Sequence, residues 1–102
     1  EDLYDISLML HELRIIVLKV QKRLESKQAK GYTVTLKIKF SDFKQITRNY
    51  THAAPIQLEE IEQFAIDLLK QAPIEGKGVR LLGVTLSNFN PYKNNLHQLS
   101  LF

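Results

Sequence analysis

With 102 residues, 44% of them hydrophobic and 25% charged, the chain has material for one modest core and none for a second. It has no cysteine, which excludes a disulfide framework and a thiolate metal site and fits a reducing cytoplasm. No apolar run approaches the about 18 residues a membrane span needs. The net charge of +3 is unevenly laid out. Residues 30–52 hold Lys30, Lys37, Lys39, Lys44 and Arg48 against Asp42, while residues 53–75 hold Glu59, Glu60, Glu62, Asp67 and Glu75 against Lys70. A basic segment beside an acidic one is the footprint of a polyanion binder with a positive face and a negative back. Chance segregation on a solvated surface is the plainer alternative. The opening "EDLYDI" lacks a Met, so the chain is expected to be a cut from something longer.

In chain order, Leu3, Ile6, Leu10, Leu13, Val17, Val20 and Leu24 recur at helical spacings and predict a long amphipathic helix. Asp2 or Asp5 is placed to accept from the free amides at its start. Leu8, Met9, Ile15, Ile16 and Leu18 widen the stripe, which predicts burial on more than one side. "KQAKG" ends the helix, with Gly31 expected in a left-handed turn. The period then falls to two: Tyr32, Val34, Leu36, Ile38 and Phe40 alternate with Thr33, Thr35, Lys37 and Lys39, a strand with one buried face. "SDF" reads as a turn and "KQITRNYTH" as a second strand, so residues 32–52 form a hairpin that Pro55 closes. "IQLEEIEQFAIDLLKQ" is a second amphipathic helix, buried through Ile61, Phe64, Ala65, Leu68 and Leu69. "EGKG" turns into "VRLLGVTLSNF", a third strand with Leu82, Val84 and Leu86 on one side. The order helix, strand, strand, helix, strand predicts an α+β fold, two helices packed on one face of an antiparallel sheet.

If the helices cover Val34, Leu36 and Ile38, the opposite face shows Thr33, Thr35, Lys37 and Lys39. Gln45 and Thr47 join them from the second strand, and Leu81, Gly83, Thr85 and Ser87 from the third. Hydroxyls, ammoniums and a glycine that lets a backbone come close are suited to holding phosphates. The face is expected to carry almost no exposed aromatic, so it lacks the stacking platform of single-strand and RNA binders. A hydrophilic outer sheet face with no ligand is the alternative.

Other chemistries find no support. His11, His52 and His97 share no metal-ligand spacing. Asn49-Tyr50-Thr51 fits a glycosylation sequon but no secretion signal accompanies it. No serine stands with a His and a carboxylate in a recognisable order, and "EGKGV" is too short for a P-loop. Glu59, Glu60 and Glu62 read as solvated first turns of a helix, where negative charge offsets the macrodipole.

The residues "YTVTLKIKFSDFKQITRNYT", an acidic helix, then "VRLLGVTLSNF" and a terminal "QLSLF" together resemble the little finger of bacterial Y-family translesion DNA polymerases, the DNA polymerase IV branch. The resemblance implies a βαββαβ unit whose first strand is absent here, leaving a sheet edge beside the third strand of this chain to pair with another molecule or fray. It implies a monomeric little finger over residues 1–87 and a tail over 88–102. It further implies binding of primer–template DNA through Lys37, Lys39, Thr47, Arg48, Arg80 and Gly83. Thr47-Arg48-Asn49 stands where the family often has Thr-Arg-Ser. Arg48 also shares the parity of Ile46, which points it toward the helices unless the strand bulges. The pentapeptide Gln98, Leu99, Ser100, Leu101 and Phe102 resembles the one by which these polymerases bind the sliding clamp. The parent enzyme is expected to use Mg and to work in the cytoplasm, while this piece alone has no Asp–Glu constellation for two metal ions and is non-catalytic. The competing reading is a small α/β regulatory or interaction module that binds a metabolite or dimerises edge to edge.

Overall fold

The computed structural model describes residues 2–27 and 30–89. Helix α1 (Ile6–Lys27) and helix α2 (Leu58–Gln71) lie on one face of an antiparallel sheet of β1 (Thr33–Phe40), β2 (Gln45–Thr51) and β3 (Val79–Ser87), in the order β2-β1-β3. The expected α+β architecture is the one observed.

Asp5 starts α1, its carboxylate accepting from the Ser7 N–H at 2.8 Å, which satisfies one of the orphan donors of the first turn. The helix buries Met9, Leu13, Val17 and Leu24 against β3 and α2. Burial on more than one side does not hold: Leu8 and Leu18 stay 53% and 55% exposed, and Ile15 is exposed with them. With a single sheet layer beneath and α2 alongside, α1 meets no described element on its far side. Leu3, the first residue of the expected helical stripe, is instead extended. Its N–H and C=O exchange 2.7 Å hydrogen bonds with Val79, an isolated antiparallel bridge on the outer edge of β3. Among the described residues nothing else pairs with that edge. An apolar cavity of about 320 Å³ lies beside it, lined in part by Val20, Leu24, Val84, Leu86 and Phe89.

Gly31 does not adopt the expected left-handed turn, since the one glycine with positive φ is Gly76. The reason for a glycine is proximity: a Cβ at Gly31 would stand 2.7 Å from the Leu86 side chain and from the Ser87 carbonyl. β1 then runs through the middle of the sheet and alternates as its sequence does, with Val34, Leu36 and Ile38 fully buried. The hairpin turns at residues 41–44, where the Asp42 carboxylate accepts from the Lys44 N–H at 3.0 Å. α2 opens with the Glu60 carboxylate accepting from the Gln57 N–H at 2.8 Å, and buries Ile61, Ala65, Ile66, Leu68 and Leu69. The two helices and the inner sheet face close one core, and among the described residues no polar or charged one is buried.

Candidate nucleic-acid interface

The register of the sheet sets out its uncovered face as rows, because cross-strand partners project from the same side. Lys37 stands between Thr47 and Gly83, and Thr35 between Asn49 and Thr85. Thr33 stands between Thr51 and Ser87, its hydroxyl 2.9 Å from that of Thr51. Lys39 stands between Gln45 and Leu81. No carboxylate occurs in these rows, so the row neighbours of the Lys37 and Lys39 ammonium groups are a hydroxyl, an amide, a glycine and the apolar Leu81. At Gly83 an added Cβ would lie 3.7 Å from the Lys37 Cβ, an ordinary contact. Packing therefore leaves room for a side chain, and a bare backbone at this point is open to a close approach from outside.

Arg48 is not part of this face. β2 pairs with β1 without a bulge and puts Arg48 opposite the buried Leu36, on the helix side. At the sheet edge it stays exposed, and its guanidinium donates to the Thr47 carbonyl at 2.9 Å. Arg80 shares the parity of Leu82 and, by simple alternation, would point the same way. A register shift between Lys39 and Phe40, which pair with Leu81 and Val79, leaves Arg80 unpaired and re-aims it. Its guanidinium carbon sits 4.6 Å from the centre of the Phe43 ring, which also has the Lys39 ammonium 5.5 Å away.

Phe43 corrects the expectation that the open face has almost no exposed aromatic. Its φ is 69° and it is 62% exposed, because the tight turn after Ser41 and Asp42 puts it in the left-handed region with its side chain outward. Turn chemistry assigns such a conformation to Gly, Asn or Asp before an aromatic, so the letters "SDF" carried a turn but no ring. Tyr50, by contrast, lies on the helix side with its ring 4.8 Å from that of Phe64.

Comparison with known proteins assigns this arrangement. Residues 1–101 match the family described as the impB/mucB/samB family C-terminal domain. The chain belongs to that family. One of its relatives, DNA polymerase IV 3 of Mesorhizobium japonicum, is 52% identical over 85% of the chain, a match that covers 24% of the relative. DNA polymerase IV of Bacteroides fragilis is 40% identical over 86% of the chain and 24% of its own length. The chain thus spans about a quarter of the curated relatives it matches. A solved complex of a beta-clamp processivity factor with the little finger domain of PolIV contains the same fold, at a TM-score of 0.70 and 22% identity over 89% of the chain and 82% of that one. The two-helix, three-stranded arrangement is that of the little finger of Y-family polymerases.

Within this family fold, Lys37, Lys39, Thr47 and Gly83 come together on the uncovered face, Arg80 joins Lys39 at one corner, and Arg48 stands apart. Gln98, Leu99, Ser100, Leu101 and Phe102 lie outside the described residues. Among those described, no three His, Asp or Glu side chains gather where a metal ion could sit, so these residues offer no ligand set for the Mg expected of the longer enzyme. No described helix is long and apolar enough to cross a membrane.

Proposed function

We propose that this chain is the DNA-gripping and clamp-tethering C-terminal part of a Y-family translesion DNA polymerase that works in the cytoplasm, uses Mg at a centre elsewhere in the protein, and is monomeric. The observation that carries the proposal is the set of cross-strand rows of threonines, lysines and Gly83 with no carboxylate among them, together with membership of a family whose relatives are named DNA polymerase IV. Lys37, Lys39 and Arg80 neutralise phosphates of the primer–template duplex, Thr47 donates a hydroxyl, and Gly83 lets the DNA backbone approach the strand. Three or four such contacts release counterions and give a log–log salt slope of about −3. Phosphates are the same at every base pair, so the grip is indifferent to sequence and tolerant of lesions.

Residues 88–102 act as a tether that ends in the clamp-binding peptide 98–102. Gln98 offers an amide at a pocket rim, while Leu99, Leu101 and Phe102 supply apolar surface. Burying two such side chains is worth about 3–6 kcal/mol before ordering is subtracted, which makes micromolar affinity, about −8 kcal/mol, the ceiling for the peptide alone. The tether turns that affinity into a high local concentration of enzyme at the DNA end. The test is a titration of the chain, with and without residues 98–102, against a bacterial sliding clamp. Micromolar binding that disappears on truncation supports the tether, and equal binding by the two forms rejects it.

A further inference from the structure

The corner of the open face at the hairpin tip holds more structure than a grip needs. Two cations from different strands, Lys39 and Arg80, converge on the single ring of Phe43. The turn that carries that ring is closed by hydrogen bonds. The Phe43 N–H donates to the Phe40 carbonyl at 2.9 Å, the Phe40 N–H donates to the Lys44 carbonyl at 2.8 Å, and Asp42 closes the loop through Lys44. Arg80 reaches the ring because the bulge turns it outward. The Arg80 guanidinium also lies 3.5 Å from the Asp2 carboxylate. Asp2, Lys39, Arg80 and Leu81 line a cleft of about 530 Å³ on the same corner.

Two like charges brought to one place repel, and three things offset that here: the negative face of the ring, the Asp2 carboxylate, and solvent. The geometry points to a two-cation clamp for one phosphodiester, built by Phe43 as a positioning residue, in which Asp2 stands in for the phosphate until DNA arrives. The inference rests on the DNA-gripping proposal and adds two statements to it. The first is that Phe43 acts through Lys39 and Arg80 by holding them in place. The second is that Asp2 competes with the phosphodiester for Arg80, so that an acidic residue lowers DNA affinity through one specific cation.

Both statements are tested by titrating the chain against a fluorescein-labelled blunt duplex of random sequence over a series of salt concentrations. Phe43→Leu keeps an apolar side chain of similar reach but no ring. It is expected to bind several-fold more weakly, with a salt slope shallower by about one contact, roughly 0.9, while Phe43→Trp restores both. A loss of affinity with an unchanged slope would mean that the ring touches DNA itself and would overturn the positioning role, as would Phe43→Leu binding like the parent chain. Melting curves of each variant ensure that folded proteins are compared. Asp2→Asn is expected to tighten binding several-fold, and that gain is expected to vanish in an Arg80→Gln background. A gain that survives in that background is general electrostatics and overturns the competition. If the unmodified chain binds duplex without salt dependence, the DNA grip fails and the clamp fails with it. If it binds as expected while the Phe43 and Asp2 variants match it, the clamp alone fails.

Discussion

The two faces of the sheet are made from the same three strands and differ in nearly every respect. On the helix side Val34, Leu36 and Ile38 are fully buried in a core to which, among the described residues, no polar or charged one contributes. On the other side Thr33, Thr35, Lys37 and Lys39, one residue out of phase, meet solvent, with threonines, amides and Gly83 as neighbours. The alternation along one strand thus separates two jobs, since every second residue holds the fold and the residues between are free to hold a ligand. Substitutions on the two faces should therefore break different measurements.

The largest effect is expected on the buried face. Leu36→Ala removes a fully buried side chain from the central strand and should cost about 2–5 kcal/mol in chemical denaturation, whatever it does to DNA. Next comes Lys37→Ala, which should leave the denaturation midpoint in place, weaken duplex binding and make the salt slope shallower by about 0.9. A midpoint shift as large as that of Leu36→Ala would collapse the distinction between the faces. Gly83→Ala sharpens it. The added methyl has room beside Lys37 and a strand glycine is less stable than alanine by about 0.5–1 kcal/mol, so the variant should be slightly more stable and bind duplex more weakly. Unchanged duplex affinity in Gly83→Ala would show that no backbone approaches there. The smallest effect belongs to Arg48→Ala. Lying on the helix side at an exposed edge, it should shift stability within about 0.5 kcal/mol and leave the salt slope alone.

Much of this was legible in the sequence because periodicity reports burial directly. The alternation of residues 32–40 gave both faces of β1, and the helical spacing of Ile61, Ala65, Leu68 and Leu69 gave the buried side of α2. For Arg48 parity and family resemblance pull apart, since the resemblance puts it among the DNA contacts while parity points it toward the helices, and the unbroken pairing of β2 sides with parity. What could not be read was set by tertiary arrangement. The exposure of Leu8, Ile15 and Leu18 depends on how many layers surround α1, which a helical stripe cannot state. Gly31 carried the right residue type for a turn, but its constraint is the nearness of Leu86 and Ser87 across the fold. The corner site was missed for two local reasons. Arg80 reaches the open face only because a one-residue bulge breaks the alternation, and Phe43 is displayed by a backbone conformation that its residue type seldom adopts. A bulge and a left-handed phenylalanine both defeat a parity count, and together they make the aromatic corner of the open face.

The most direct test of the central claim is the salt dependence of duplex binding for the chain and for the Lys37→Ala/Lys39→Ala variant. The account predicts a log–log slope of about −3 for the chain and about −1 for the variant, at about 0.9 per phosphate contact, with both proteins melting alike. Equal slopes, or binding by the chain that ignores salt, would contradict it and leave the open face as a solvated surface.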